Sequence, residues 1–200
     1  MKSCDIVVAG VGGQGVLFAA EVLGEAALKE GHDVRVAEIH GMAQRGGSVV
    51  CIVRIGENVF SPTVMEGTAS VIIGLEPLEA LRYIKFACKE TIIALNTVPV
   101  IPSSTYFSEA SYPPIDVILS EISKISRKIF TIDAAEIAQI TGVAATQNAA
   151  VLGFVSAMGV LPIRHETLER EIADRVPQRY VEANLRAFDL GRRRFTKELT

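Results

Sequence analysis

The segment that decides the fold is DIVVAGVGGQGVLFAAEVLGEAALKEG, residues 5–31. It starts with a short apolar run over residues 5–9, which stops at a glycine and predicts a buried β-strand. The pattern G-x-G-x-x-G follows and is satisfied by Gly10, Gly12 and Gly15. Apolar residues then recur at helical spacing, and Gly31 marks the end of the predicted helix. The segment therefore predicts a strand, a glycine turn and a helix, the opening of a βαβ unit.

Strands and helices continue to alternate after this segment. Further strands are predicted at residues 34–38, 49–55, 71–75, 91–95 and 128–132. Val59 and Phe60 follow a Gly-Glu-Asn turn and are expected to form a hairpin with the strand at 49–55. Helices are predicted at residues 76–88, 115–125 and 134–140, and residues 96–114, with four prolines, form a long loop. We expect the strands at 5–9 and 34–38 to be the parallel pair of a right-handed βαβ unit.

Residues 146–200 have a different character, because no further strand is predicted there. Small apolar residues at 149–158 predict a helix suited to close packing, and amphipathic helices are predicted at 165–175 and 180–195. The expected fold class is α/β, a Rossmann-like layered and mostly parallel sheet with helices on both faces and an α-helical C-terminal extension. We expect a single domain over residues 1–200, with the sheet core in 1–145 and the extension in 146–200.

Composition excludes several classes of protein. The 200 residues are 49% hydrophobic and 22% charged with a formal net charge of -3, so a nucleic-acid binder with a basic stripe is not expected. No run of about 18 apolar residues predicts a membrane helix, and a strand begins too early for a secretory signal. The three cysteines are far apart without a C-x-x-C pattern, which predicts free thiols rather than metal ligands. We therefore expect a cytoplasmic protein.

The glycine turn admits two interpretations. Gly10 permits a tight turn, Gly12 and Gly13 leave the backbone bare for an anionic group, and Gly15 would let the helix pack closely on the sheet. With Glu38 on a ribose, this is the pattern of a dinucleotide site. A turn that serves packing alone explains the same glycines.

A second glycine-rich loop, HGMAQRGGSV at residues 40–49, follows the strand at 34–38. It is expected at the carboxyl edge of the sheet beside the first turn, where open α/β sheets bind ligands. Arg45 offers a planar fork of donors to a phosphate or carboxylate, and a solvated basic loop is the alternative. The candidate binding residues of the two loops are Gly10, Gly12, Gly13, Gln14, Gly15, Gln44, Arg45, Gly46 and Gly47. His40 is a candidate general acid or base, although a loop histidine that only hydrogen-bonds to backbone is the commoner case and is favoured here.

Two further polar groups lie at predicted element boundaries. Asn96 and Thr97 close a strand at the same edge, where Asn96 could contact a ligand or cap the turn. Thr146, Gln147 and Asn148 precede an apolar helix, and helix capping is favoured there over an interface contact.

The stretches GVGGQGVLFAAEVLGEAALKEG, AEIHGMAQRGGSV and TQNAAVLGFVSAMGVLPI resemble the γ-type domain of 2-oxoacid:ferredoxin oxidoreductases. The resemblance covers almost the whole chain, and HGMAQRGG is most similar to the small (β) subunit of the indolepyruvate branch. It implies a partner, a large α subunit that holds thiamine diphosphate, Mg²⁺ and [4Fe-4S] clusters. The complex would convert an aryl pyruvate and coenzyme A to an aryl-acetyl-CoA, CO2 and reduced ferredoxin.

The resemblance assigns the cofactors to the partner subunit, and this sequence lacks the motifs that would hold them. The sequence has no G-D-G motif with a distant Asn for thiamine diphosphate and no cysteine cluster, so we expect an accessory subunit that binds no cofactor alone and is inactive alone. It could also form a homodimer. The alternatives are an independent NAD(P)- or flavin-dependent oxidoreductase and a non-catalytic scaffold.

Overall fold

The structure, a computed structural model, describes residues 3–40, 46–100 and 112–198. Its strands are β1 (Cys4–Val11), β2 (Asp33–His40), β3 (Ser48–Gly56), β4 (Val71–Gly74), β5 (Ile92–Asn96) and β6 (Ile129–Ile132). Its α-helices are α1 (Val16–Lys29), α2 (Pro77–Arg82), α3 (Ile115–Ser123), α4 (Ala134–Thr141), α5 (Gln147–Ser156), α6 (His165–Arg175) and α7 (Val181–Glu198). Within the described residues, no helix is both long and apolar enough to cross a membrane.

The strands form one sheet in the order β2-β3-β1-β4-β5-β6. Val8 in the middle of β1 pairs with Ile73 of β4 in parallel and with Cys51 of β3 in antiparallel register. Because β2 and β1 are both antiparallel to β3, they run in the same direction with β3 between them. Five strands therefore point one way and β3 points the other, so the predicted mostly parallel sheet is confirmed.

The strands at 5–9 and 34–38 run in the same direction and are joined by α1, as expected of a βαβ unit, although β3 lies between them and pairs with both. Two details of the predicted elements are wrong. Val59 and Phe60 form no strand, and β3 pairs instead with β2, the strand before it. The helix predicted at 76–88 ends at Arg82 and is followed by a 3₁₀ turn at Ile84–Phe86.

Helices cover both faces of the sheet, as predicted. Alternate residues of β1 point to opposite sides: Ile6 and Val8 join the larger core, whereas Val7 and Ala9 join the smaller one. The larger core is completed by α1 and by α4 to α7, and the smaller by α2 and α3. The C-terminal helices therefore form part of the layer on one face.

Glycines let α5 and α7 pack with their backbones in contact. A Cβ on Gly153 would overlap the carbonyl oxygen of Phe188, and a Cβ on Gly191 would overlap that of Ala150. The prediction of a closely packing small-residue helix at 149–158 is confirmed. Phe195 of α7 packs edge-on against Phe154 of α5, with ring centroids 5.6 Å apart, and closes this helix pair.

Candidate functional site

The two glycine-rich loops meet at the carboxyl edge of the sheet. The backbone N–H of Gly12 donates to the carbonyl oxygen of Gly47 at 2.8 Å, and that of Gly46 donates to Gly12 at 3.3 Å. The predicted position of the second loop beside the first turn is therefore confirmed at Gly46 and Gly47. Gln44, Arg45 and the side chain of His40 lie outside the described residues.

The first turn depends on backbone conformations that favour glycine. Gly13 has φ +101° and Gly15, which precedes the first residue of α1, has φ +78°. A Cβ at Gly13 would meet nothing within 4 Å, whereas a Cβ at Gly15 would overlap the side-chain amide of Asn148. Gly15 therefore approaches the C-terminal helices, which corrects its predicted role against the sheet. At Gly10, a Cβ would come within 2.9 Å of Val16 at the start of α1.

The amides of Gln14 and Asn96 hold the ends of three strands together. Gln14 Oε1 accepts from the N–H of Val11 at 2.7 Å, and its Nε2 donates to the carbonyl of Leu75 at 3.2 Å. Asn96 Nδ2 donates to the same carbonyl at 3.1 Å, and its Oδ1 accepts from the N–H of Ala134 at 3.1 Å. Of the two roles considered for Asn96, the structure shows the structural one. Both amides bond to backbone and also face the cavity of the site.

A cavity of about 260 Å³ opens between the first turn of α1 and the first turn of α5. Its walls include Gly13, Gly15, Asn96, Gln147 and Asn148. The N-terminal ends of two helices converge on it, and each end carries partial positive charge and backbone N–H donors. Within the described residues neither helix has a side-chain cap, so this end of the cavity suits an anionic group.

The predicted capping by Thr146 is wrong. Its hydroxyl donates to the carbonyl of Val143 at 2.8 Å and lies 2.9 Å from the hydroxyl of Thr141, so it does not satisfy the N–H groups of α5. The residues Gln147 and Asn148 were predicted as cap or interface residues, and the structure places them in the wall of the cavity. Their position could not be predicted from the sequence because it depends on how α5 packs against α1.

The sheet order argues against a dinucleotide site. Glu38 lies on β2, which is separated from β1 by β3, so about 10 Å of sheet separates the two strands. A ribose-binding acid is expected on the strand adjacent to the glycine turn. The structure therefore does not bring Glu38 and the first turn together in the way that this interpretation requires.

The three cysteines are free, as predicted. Burial raises the pKa of the Cys4 thiol to about 11 and that of Cys51 to about 12. Cys88 is half-buried, and a hydrogen bond from the Thr91 hydroxyl lowers its pKa. Among the described residues, no group of three or more His, Cys, Asp or Glu side chains is arranged to hold a metal ion.

Comparison with known proteins identifies the family. Residues 5–194 match the pyruvate ferredoxin/flavodoxin oxidoreductase family. The chain belongs to this family. It is 41% identical over 192 residues to indolepyruvate oxidoreductase subunit IorB of Thermococcus kodakarensis, and the match covers 96% of this chain and 95% of the relative. The resemblance seen in the sequence is thus confirmed, and the chain is an accessory subunit of a 2-oxoacid:ferredoxin oxidoreductase.

Solved structures agree on the fold. The gamma subunit of a keto/oxoacid ferredoxin oxidoreductase from Geobacter sulfurreducens is similar with a TM-score of 0.67 and 20% identity, and the match covers 98% of each chain. A 2-oxoglutarate:ferredoxin oxidoreductase from Magnetococcus marinus, with 2-oxoglutarate, coenzyme A and succinyl-CoA bound, has a TM-score of 0.73 and 21% identity. All of this chain matches 32% of that one. The same fold therefore occurs both as a separate chain and as part of a longer one.

Proposed function

We propose that this chain is the small subunit of an indolepyruvate:ferredoxin oxidoreductase. The complex would oxidatively decarboxylate an aryl pyruvate with coenzyme A, give an aryl-acetyl-CoA and CO2, and pass the electrons to ferredoxin in the cytoplasm. The observation that carries the proposal is the 41% identity along nearly the whole length of a subunit of that name.

The cavity between α1 and α5 is the proposed contribution of this chain to the reaction. Its converging helix ends would hold an anionic group, either the phosphates of coenzyme A or the carboxylate of the oxoacid. Arg45 and Gln44 would add donors from the second loop, with Gly46 and Gly47 holding that loop against Gly12. His40 would orient the loop or, as the less favoured alternative, exchange a proton with substrate.

The redox and decarboxylation chemistry belongs, in this proposal, to the larger subunit. The three cysteines of this chain are fewer than the four thiolates that usually hold a [4Fe-4S] cluster. Thiamine diphosphate and Mg²⁺ would likewise be held by the partner, and coenzyme A would lie between the two chains. The role of this chain is then to bind and orient a substrate, while the cofactor carries out the bond cleavage.

The proposal is tested on the complex co-expressed with its large subunit. We expect ferredoxin reduction that requires coenzyme A, is faster with indolepyruvate than with pyruvate or 2-oxoglutarate, and is lost when either subunit is omitted. Turnover by the isolated chain, or a preference for an aliphatic oxoacid, would contradict it.

The anion site is tested by adding a negative charge to its wall. Asn148→Asp should raise the KM for coenzyme A about tenfold, since like charges repel in a partly buried site. Gln139→Glu makes the same chemical change on the exposed side of α4 and should leave that KM unchanged. If the KM for the oxoacid rises instead, the cavity holds the oxoacid carboxylate.

A further inference from the structure

The first turn of α2 buries two carboxylates that the proposed function does not use. Glu76 and Glu79 are 0% and 1% exposed, three residues apart at the carboxyl end of β4. Burying a charged group is unfavourable unless hydrogen bonds and opposite charge compensate it. A helix start on the surface needs no such pair, because a single Ser or Asp is an adequate N-cap.

Glu79 is bonded to the strand that follows the second glycine loop. Its Oε2 accepts from the Ser48 hydroxyl at 2.5 Å and from Arg82 Nε at 3.2 Å. The Ser48 hydroxyl also lies 3.1 Å from the hydroxyl of Tyr83. Ser48 is the next residue after Gly47, whose carbonyl accepts from Gly12 of the first turn. Glu79 is therefore connected to the first turn by its hydrogen bond with Ser48, the peptide bond from Ser48 to Gly47, and the hydrogen bond between Gly47 and Gly12.

Glu76 fixes the helix turn from which Glu79 projects. Its Oε2 accepts from the backbone N–H of Glu79 at 2.8 Å, and its Oε1 accepts from the Tyr112 hydroxyl at 2.5 Å. Burial raises the pKa of Glu76, an effect that these hydrogen bonds and one from the backbone of Val100 oppose. Val100 and Tyr112 stand at the two described ends of the proline-containing loop. One helix turn thus contacts Ser48, next to the second glycine loop, and both described ends of the proline-containing loop, of which Val100 lines the cavity.

We propose that Glu79 is a positioning residue, which holds the second glycine loop against the first turn through its hydrogen bond with Ser48. A carboxylate would repel the anionic group of the proposed site, so Glu79 does not bind that group itself. The expected effect of Glu79 on binding of the anionic group rests on the proposed function, whereas its effect on the position of the second glycine loop does not.

The effect on the loop is measured on the full chain by amide hydrogen exchange. Glu79→Leu keeps most of the side-chain volume without an acceptor, and Ser48→Ala removes only the donor. Both should raise exchange at the Gly12 and Gly46 amides about tenfold, the factor expected for losing a hydrogen bond to a charged group. Glu79→Gln retains an acceptor oxygen and should exchange nearly as the wild type does. Glu90→Gln, which removes an exposed charge that pairs with Lys128, is the matched control.

A double variant separates this role from general destabilisation. Ser48→Ala combined with Glu79→Leu should exchange no faster than the more affected single variant, because both changes remove the same hydrogen bond between Ser48 and Glu79. Unchanged exchange in Ser48→Ala, or a Glu79→Gln variant as perturbed as Glu79→Leu, would overturn the proposal. In the complex, Ser48→Ala should raise the KM for coenzyme A with little change in kcat. Faster loop exchange with an unchanged KM would support the positioning role and overturn the proposed function instead.

Discussion

Glycine serves two different purposes in this molecule, at the first turn and between α5 and α7. Gly13 and Gly15 have positive φ, and the space around Gly13 is open. Gly153 and Gly191 are ordinary helical residues, yet backbone atoms of the neighbouring helix fill the space of a Cβ. The turn needs glycine for the path of the backbone, whereas the helix pair needs it for room. Substitutions at the two places should therefore fail for different reasons and by different amounts.

The largest effect is expected at the helix pair. Gly153→Ala places a methyl group against the carbonyl of Phe188, and neither helix backbone can move without disturbing the core. We expect the free energy of unfolding to fall by about 3 kcal/mol, the upper part of the range for overpacking. Urea denaturation measures it. Gly24→Ala is the control, because there a Cβ meets only side-chain methyl groups, of Val36 at 3.3 Å and Val34 at 3.6 Å, and alanine has the higher helix propensity. A loss within about 1 kcal/mol of that control would show that the helices yield easily.

The next largest loss of stability is expected when the Asn96 amide is removed, since it bonds to the backbone of Leu75 and Ala134 at the carboxyl edge of the sheet. Asn96→Ala leaves the N–H of Ala134 without its acceptor in a site that is 2% exposed, so we expect a loss of about 2–3 kcal/mol. Gln14→Ala removes two bonds of the same kind from a half-buried side chain and should cost about 1 kcal/mol. Thermal and urea unfolding of both variants test whether Asn96→Ala loses more stability than Gln14→Ala. Equal losses would show that the difference in burial between the two side chains does not decide the cost.

A loss of stability smaller than that of Asn96→Ala is expected when Gly15 of the turn is replaced. Gly15→Ala adds strain of about 1–2 kcal/mol at φ +78° and pushes the Asn148 amide aside. Removing that amide in Gly15→Ala/Asn148→Gly leaves the strain without the contact. The Asn148→Gly single variant completes a double-mutant cycle in urea denaturation, and the cycle isolates the contact from the cost of glycine in α5. If Gly15→Ala costs no stability in the Asn148→Gly background, the turn requires glycine for space and not for the path of the backbone, and the comparison with Gly153 fails.

The last test concerns reactivity and not stability, and it compares the thiol of Cys88, which lies before β5, with the buried thiol of Cys51 on β3. Cys88 should react with iodoacetamide first, and its rate should reach half its maximum at a lower pH than that of a free cysteine, because its pKa is lowered. Cys51 should stay unmodified until the chain unfolds, since burial raises its pKa to about 12. Mass spectrometry of the alkylated peptides over a pH series checks both. Early modification of Cys51 would show that the larger core opens readily.

Much of the architecture could be predicted because it depends on local patterns. The apolar run at 5–9, the glycine turn and the helical spacing after it concern neighbouring residues, and all three are present in the structure. The meeting of the two glycine loops could also be predicted, since strands that run in parallel end at one edge. The predicted hairpin between the strand at 49–55 and Val59–Phe60 was wrong, because a Gly-Glu-Asn turn does not determine which strand β3 pairs with.

The candidate site was predicted in outline and not in detail. Gln14 and Asn96 were expected as donors at the edge, and they lie there, but the sequence does not reveal that both bond to the carbonyl of Leu75. Glu79 gave no signal, because its partner Ser48 is far away in the chain. Side-chain amides and carboxylates choose partners by distance in the fold, and such contacts have no local pattern.

The sequence by itself determined the order of the elements, the backbone freedom of the first turn and the family, because each rests on residues close together in the chain. Only the tertiary structure decided that β3 lies between β1 and β2, which separates Glu38 from the turn. It also decided that α5 begins beside Gly15 and so completes the cavity. Strand order and helix docking are settled by contacts between distant residues, and the free energy of those contacts depends on the whole packed core.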